Sequence, residues 1–271
     1  MRDGETASAM SAAEAAAEAY EARLVARIFG PWAARAVAIA APKPGEAALD
    51  AACGTGIGVR LAALRVLPEG RLAGVDNDPG MIAVARRIAA RERIEAEWHC
   101  KSVLALPFAE ASFDLCLCLQ GPQFLSDPAA GLSELHRVLK PSGRLVASMW
   151  CSIEHNKGHH ALAQALERRN IAPAARPFSL GDEENIRALM GEAGFRGITL
   201  HTEERQASFP SVSAFVDGVA AGAPATRHVL ARLPEAGRRD FLADVEAILG
   251  PYTTGAGVRL PTRAHIVVAT P

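Results

Sequence analysis

Short apolar runs alternate with longer amphipathic segments along the middle of the chain. Apolar runs bounded by turn residues are typical of buried strands, and apolar residues at helical spacing are typical of helices that cover a sheet. The runs predict five strands, at 47–50, 71–76, 95–101, 113–119 and 144–150. Helices are predicted between them, at 57–66, 79–92 and 127–139. Strands joined by helices in this way form a parallel sheet with right-handed crossovers.

Less regular segments flank this alternating region. Two helices are predicted before it, at about 11–27 and 29–41. After it come helices at about 156–169 and 182–193, a sixth strand at 194–204, helical segments at about 211–221 and 235–249, and a last strand at 263–270. The residues between the last two strands are too many for an ordinary loop, so we expect them to pack as a helical cap.

The pattern as a whole predicts the fold class. We expect an α/β protein with a Rossmann-like sheet of seven mostly parallel strands and helices on both faces. The chain then divides into a helical lead-in at 1–44, a sheet core at 45–204, a helical insertion at 205–258 and the last strand at 259–271.

Composition narrows the class of partner. The formal net charge is −1 and there is no run of Lys or Arg, so we expect no nucleic-acid partner. The first thirty or so residues carry acids and no unbroken apolar stretch, and the window 32–42 contains Arg35 and is too short for a bilayer. We therefore expect a cytoplasmic chain with no membrane partner. The five cysteines lack Cys-x-x-Cys spacing, so we expect buried thiols and no metal site.

A glycine-rich turn follows the first strand in "ALDAACGTGIGVRLA", where Gly54, Gly56 and Gly58 come closely after Asp50. Glycines let the backbone approach a ligand, and open parallel sheets bind ligands at the carboxyl ends of their strands. A phosphate-binding loop would need Gly-Lys-Ser/Thr, and a dinucleotide fingerprint would need glycine where Val59 stands. At the end of the second strand, Asp76 is placed to accept hydrogen bonds from a ribose diol. The combination indicates a nucleoside-containing ligand.

Four stretches occur in the order and spacing of a known family: "LDAACGTGIG", "GVDNDPGMIAVARR", "LPFAEASFDLCLC" and "LSELHRVLKPSGRLVAS". Through them, residues 20 to 150 resemble the class I S-adenosylmethionine-dependent methyltransferases, in the small-molecule branch that includes quinone-biosynthesis enzymes. The resemblance implies S-adenosylmethionine as cofactor and S-adenosylhomocysteine as product. It also implies methyl transfer to O, N or C of a small hydrophobic molecule, with the core binding the cofactor and the insertion shaping the acceptor pocket.

The resemblance also implies positions for the cofactor. Residues expected at its methionine end are Asp50, Ala52, Gly54, Gly56 and Gln120, and Tyr20 is expected above it. Asp76 would hold the ribose, with Asn77 and Met81 beside the adenine. The family often has an aspartate on the adenine amino group where this chain has Ser102. The serine hydroxyl can still accept a hydrogen bond and the Val103 N–H can still donate one.

Methyl transfer from a sulfonium is an in-line displacement that depends mainly on alignment, and a base is needed only if the acceptor loses a proton. His155 and His159 are four residues apart and would share one helix face. Histidine titrates near neutrality, so both are candidate bases, although solvated surface histidines would look the same. Gln123, in the loop after the fourth strand, is the third candidate, against a role in helix capping or core filling.

Aromatic side chains provide candidate walls for an acceptor pocket. Phe29 and Trp32 lie in the amino-terminal helices and Trp150 ends the fifth strand, although aromatic residues at such positions are also common in cores.

The alternative is that a protein of this fold uses the bound cofactor structurally, as a cyclase or binding module. Detection of a methylated product separates this alternative from methyl transfer. A nicotinamide-dependent dehydrogenase is disfavoured, since Val59 breaks the fingerprint and no Tyr-x-x-x-Lys occurs. We expect a monomer or homodimer that acts on a small molecule.

Overall fold

The computed structural model describes residues 11–271, apart from the side chains of residues 224 and 225. Its eight strands form one sheet. The strands are β1 (Ala47–Ala51), β2 (Arg71–Asp76), β3 (Glu97–Cys100), β4 (Phe113–Leu119), β5 (Leu139–Trp150), β6 (Arg196–Phe209), β7 (Thr253–Thr254) and β8 (Gly257–Thr270). The order across the sheet is β3-β2-β1-β4-β5-β8-β6, and the two-residue β7 pairs with β8.

Five of these strands are parallel neighbours, from β3 at one edge to β5. β8 is antiparallel to both β5 and β6. The predicted Rossmann-like sheet of mostly parallel strands is therefore confirmed. The strand order reverses between β1 and β4, and this is where open α/β sheets bind ligands.

Ten α-helices are present in the described part of the chain. They are α1 (Ala12–Tyr20), α2 (Gly30–Ala40), α3 (Ile57–Val66), α4 (Pro79–Glu92), α5 (Pro128–Val138), α6 (Lys157–Glu167), α7 (Glu183–Glu192), α8 (Val212–Gly222), α9 (Pro224–Arg232) and α10 (Glu235–Leu249). A π-helix at Glu21–Phe29 joins α1 to α2 without a break. The sequence predicted two separate helices here and no helix at α9.

The alternating side chains of β4 contribute to a separate core on each face of the sheet. In β4, Leu115 and Leu117 belong to the core under α2, α3 and α6, whereas Cys116 and Cys118 belong to the core on the other face with α5 and α7. Both sets are almost fully buried, as expected for a strand covered by helices on both sides. Four of the five cysteines are buried as predicted, but Cys100 is exposed.

Three strands, β5, β6 and β8, extend several residues beyond a predicted end. β6 continues to Phe209 and β8 begins at Gly257, and these ends pair with each other through Phe209 and Val258. Residues 205–209 and 257–258, assigned above to the insertion, are therefore part of the sheet. β5 begins at Leu139, within the stretch expected to be helix end and turn. The division of the chain into four parts otherwise stays a prediction.

Residues 11–271 contain no helix that is long and apolar enough to cross a membrane.

Candidate cofactor and acceptor site

A cavity of about 720 Å³ opens at the carboxyl ends of β1, β2 and β4. One end, here called the acidic half, is lined by Asp50, Ala52, Gly54, Asp76, Asn77, Met81, Ser102 and Val103. The other end, the aromatic half, is lined by Phe29, Trp32, Trp150, His159, Phe178 and Phe241. Tyr20 and Gln120 line the cavity as well, and the two halves are continuous. A volume of this size suits a ligand together with a second small molecule.

The three glycines of the turn serve different purposes. Gly54 has a φ of +54° and faces the cavity. Gly56 has a φ of +84°, and a Cβ there would lie 2.6 Å from the Trp98 ring. At Gly58 a Cβ would lie 2.3 Å from the Asp50 carboxylate. Only Gly54 gives a ligand direct access to the backbone, whereas Gly56 and Gly58 make room for neighbouring side chains.

Asp76 is held in place by the backbone around it. Its Oδ2 accepts a hydrogen bond of 2.8 Å from Gly54 N–H, and its Oδ1 accepts one of 2.9 Å from Asp78 N–H. Burial, together with the charge of Asp78, raises the pKa of this carboxyl despite those two bonds. Each carboxylate oxygen can accept a further bond, so Asp76 can receive a pair of hydroxyls.

Asp50 is 3% exposed, and its Oδ1 has no hydrogen-bond partner within the described residues. Burial and the nearby charge of Asp76 raise the pKa of Asp50 to about 8. None of the residues that define the acidic half is basic. A positively charged ligand would therefore be favoured here, because it compensates two buried acids at once.

Gln120 and Gln123 form a buried pair after β4. Gln123 Nε2 donates to Gln120 Oε1 at 2.9 Å, and Gln120 N–H donates to Ser148 Oγ at 3.1 Å. Gln120 has a φ of +55° and lines the cavity, whereas Gln123 does not. Gln120 Nε2 and Gln123 Oε1 have no partner among the described atoms. Gln123 is therefore joined to the cavity through its hydrogen bond to Gln120, and its catalytic role stays a prediction.

A chain of rings lines the cavity from Tyr20 into the aromatic half. Tyr20, Phe29, Trp150 and Trp32 follow one another with centroids 5.3, 6.1 and 5.9 Å apart. Trp32 Nε1 donates to Thr262 Oγ1 at 3.0 Å, so its polar atom is satisfied and its ring faces the cavity. Burial and Asp76 raise the pKa of Tyr20, which keeps the phenol protonated.

The two candidate histidines are in different environments. His159 lines the aromatic half, with Phe178 and Phe215 edge-on at 5.6 and 5.8 Å. Its burial lowers the pKa to about 4, so the imidazole is neutral at neutral pH. His155 is exposed in a 3₁₀ turn, and α6 begins only at Lys157. The expectation that both histidines share one helix face is therefore wrong, because the first of them precedes the helix.

Residues 49–147 match the family described as "Methyltransferase domain". Over 115 residues the chain is 38% identical to the demethylmenaquinone methyltransferase of Thermus thermophilus, covering 42% of this chain and 52% of that protein. The chain thus spans about half the length of that relative.

A longer match is to the ubiquinone/menaquinone biosynthesis C-methyltransferase of Stenotrophomonas maltophilia. The two are 31% identical over 182 residues, which cover 60% of this chain and 71% of the relative. The chain belongs to the class I S-adenosylmethionine-dependent methyltransferases. Its cofactor is S-adenosylmethionine, as the four motifs predicted.

Solved structures agree on the fold of this methyltransferase. The phosphoethanolamine N-methyltransferase 2 of Haemonchus contortus, solved in complex with S-adenosyl-L-methionine, is 18% identical with a TM-score of 0.60. The match covers 95% of this chain and 57% of that one. At this identity the likeness concerns the fold alone.

The residues of the acidic half fit S-adenosylmethionine. The cofactor carries a ribose diol, which suits the free lone pairs of Asp76, and positive charges, which suit the unpaired Oδ1 of Asp50. Gly54 leaves open the space that a Cβ would occupy. Ser102 Oγ accepts a bond of 3.1 Å from Leu104 N–H and so caps a 3₁₀ turn, while its residue still lines the cavity.

The methyltransferase brings most of the sequence-predicted residues to one cavity. Those in its wall are Tyr20, Asp50, Ala52, Gly54, Asp76, Asn77, Met81, Ser102, Val103, Gln120 and His159. Gly56, Gln123 and His155 are not among the lining residues. Phe178 and Phe241 line the cavity but were missed, because neither belongs to a motif and both look like ordinary core residues. The roles of all these residues stay predictions.

Proposed function

We propose that this chain transfers the methyl group of S-adenosylmethionine to O, N or C of a small, largely apolar molecule. The supporting observation is the continuity of the cavity, which joins an acidic half suited to the cofactor to an aromatic half with no lysine and a single arginine, Arg176, in the lining. A molecule held in the aromatic half would meet the cofactor at Tyr20 and Gln120. Positioning of two reactants in one cavity is the main source of acceleration for an in-line displacement.

Each half has a defined task in this proposal. When bound, the cofactor supplies the electrophilic methyl carbon and the sulfur leaving group. Asp76 would fix the ribose, and the acidic half would hold the positive charges. The rings of Trp32, Trp150 and Phe178 would surround the acceptor and exclude water.

His159 would take up the proton when the acceptor is a hydroxyl or an amine. Its low pKa keeps the imidazole in the neutral, proton-accepting form above about pH 5. We therefore expect no loss of turnover from histidine protonation between pH 7 and pH 5.5. If turnover instead declined around pH 6.5, and this decline disappeared in His159→Gln, the lowered pKa of His159 would be contradicted.

Calorimetric titration with S-adenosylmethionine and S-adenosylhomocysteine tests the cofactor site. We expect micromolar binding that Asp76→Ala weakens at least tenfold, about 1.4 kcal/mol. Asp240→Ala is the matched control, because this exposed aspartate in α10 lies outside the cavity and its loss changes the net charge equally. Absence of binding to either nucleoside would overturn the proposal.

Methyl transfer itself is tested by incubating the protein with S-adenosylmethionine and a panel of apolar phenols, amines and enolisable ketones. Formation of S-adenosylhomocysteine together with a product heavier by one methylene supports the proposal. Cofactor binding combined with a rearranged but unmethylated product would favour the alternative, a protein that uses the cofactor structurally.

A further inference from the structure

A cluster of charged residues links the amino-terminal helix to the glycine turn. Glu21 is the first residue of the π-helix and directly follows Tyr20. Its Oε2 accepts a hydrogen bond of 2.5 Å from the hydroxyl of Thr55, a buried residue of the turn. Its Oε1 accepts one of 2.6 Å from Arg60 Nη2 in α3. One carboxylate therefore connects the lead-in helix to the turn and to the helix after it.

This connection is shielded from solvent, so we expect it to contribute more free energy than an exposed ion pair. The side chains of Arg60 and Glu21 are only 13% and 22% exposed, so solvent screens them weakly. Exposed pairs typically contribute less than about 1 kcal/mol, whereas removal of one partner of a shielded pair leaves the other charge uncompensated. Among residues 11–271, Arg60 also pairs with Glu92 at 3.5 Å.

Tyr20 is the side chain that this connection would hold in place. A Cβ on Gly54 would lie 3.8 Å from Tyr20 Cε1, and a Cβ on Gly222 would lie 3.0 Å from Tyr20 Cδ2. The ring is thus confined between the turn and α8. π-helical segments are rare and are frequent at functional sites, since the extra residue changes the direction of side chains.

We propose that Glu21 is a positioning residue for the cofactor site, holding Tyr20 over the glycine turn through Thr55 and Arg60. This inference rests on the proposed function, because it concerns the same cavity. Glu21 does not line the cavity, so its effect on the cofactor would pass through Tyr20 and Gly54.

The chain offers a matched control three residues earlier. Glu18 in α1 pairs with Arg87 in α4, so its ion pair ties the same helical lead-in to the core through a helix and not through the turn. Glu21→Gln and Glu18→Gln remove the same charge from the same segment. Comparing them separates positioning at the turn from simple attachment of the helix.

We expect Glu21→Gln to weaken binding of S-adenosylhomocysteine about tenfold, with a faster dissociation rate, and Glu18→Gln to change it less than twofold. Hydrogen exchange should increase at residues 20–29 only in Glu21→Gln. In a double-mutant cycle, Arg60→Met should add little to Glu21→Gln, because the two residues act through one contact.

Equal affinities for Glu21→Gln and the wild type, or equal losses in the Glu18 and Glu21 variants, would overturn the positioning role while leaving the proposed function intact. A wild-type protein that binds neither nucleoside would instead overturn the proposed function. Glu21→Asp is a second variant in case Glu21→Gln fails to fold. Aspartate keeps the charge but is one methylene shorter. Glu21→Asp should therefore also weaken binding if the position of the carboxylate determines the affinity.

Discussion

The two halves of the cavity are built in opposite ways. The acidic half comes from the ends of adjacent strands and the turn between them, mostly within residues 50–103. The aromatic half is assembled from the π-helix, α2, the end of β5, α6, the segment before α7 and α10. Residues close in sequence thus line the half proposed for the cofactor, while residues far apart line the half proposed for the acceptor. The comparison explains why the cofactor can be assigned from motifs and the acceptor cannot.

The largest effect is expected from a substitution at Gly56, which belongs to the turn but not to the cavity wall. A Cβ there would meet the Trp98 ring at 2.6 Å in a left-handed backbone. We expect Gly56→Ala to lower the free energy of unfolding by about 2–4 kcal/mol in urea denaturation, from overpacking plus backbone strain.

The control for this prediction is Gly191→Ala in α7, where a new Cβ meets nothing within 4 Å. Alanine is the better helix former, so this variant should be slightly stabilised. If Gly56→Ala instead lost cofactor affinity at unchanged stability, Gly56 would belong to the binding surface after all.

Asp50 allows a test of the electrostatics of the acidic half. A carboxyl whose pKa rises from 3.8 to about 8 on folding stabilises the native state below its unfolded pKa, and this stability is lost as the pH rises through 8. We expect the unliganded protein to lose at least about 1.4 kcal/mol, or about 2–4 °C in Tm, between pH 5 and pH 8.5 relative to Asp50→Asn. If the Tm of the two proteins changed equally with pH over this range, the raised pKa of Asp50 would be contradicted.

Phe178 allows a test of the aromatic half alone. It packs edge-on to His159 with centroids 5.6 Å apart and lines the cavity far from Asp76 in the chain. We expect Phe178→Ala to raise the KM for the acceptor about tenfold, because an aromatic contact is worth about 1–3 kcal/mol. The dissociation constant of S-adenosylhomocysteine should change less than twofold. A comparable loss of cofactor affinity would mean that the two halves are not separable.

The smallest effect is expected at Gln123, which touches the cavity only through Gln120. Gln123→Met removes the hydrogen bond to Gln120 Oε1 and should cost about 1 kcal/mol of stability. Turnover should fall less than in Gln120→Met, since only Gln120 lines the cavity. A larger loss of turnover at Gln123 would support the direct catalytic role expected from the sequence.

The sequence predicted much of the fold where local patterns are strong. β2, β4, α3, α4 and α10 begin and end at the predicted residues. The end of β6 after residue 204 was missed because its polar exposed positions, Gln206 and Ser208, weaken the pattern of an edge strand. α9 was missed because it is short and polar, with Leu230 as its one buried hydrophobic residue among those whose burial is described.

The candidate site, too, was predictable only where a local pattern fixes the position of a residue. Asp76 and Gly54 could be assigned because a strand end and a turn fix their surroundings within a few residues. The packing of Trp98 against Gly56 and the bond from Thr55 to Glu21 depend on tertiary contacts. No local pattern in the chain reveals them.

The hydrogen bonds that join the amino-terminal helices to the last part of the chain have a consequence for folding. Arg23 and Arg27 of the π-helix donate to the carbonyls of Asp217 and Ser208, and Trp32 donates to Thr262, across 194, 181 and 230 residues of chain. During synthesis, the parallel strands can assemble from a contiguous segment, but the contact of Trp32 with Thr262 cannot form until β8 emerges from the ribosome. Contacts of such high sequence separation form late, and until then the apolar face of α2 is open to misassociation. A nascent chain stalled before β8 should therefore bind chaperones through its amino-terminal helices.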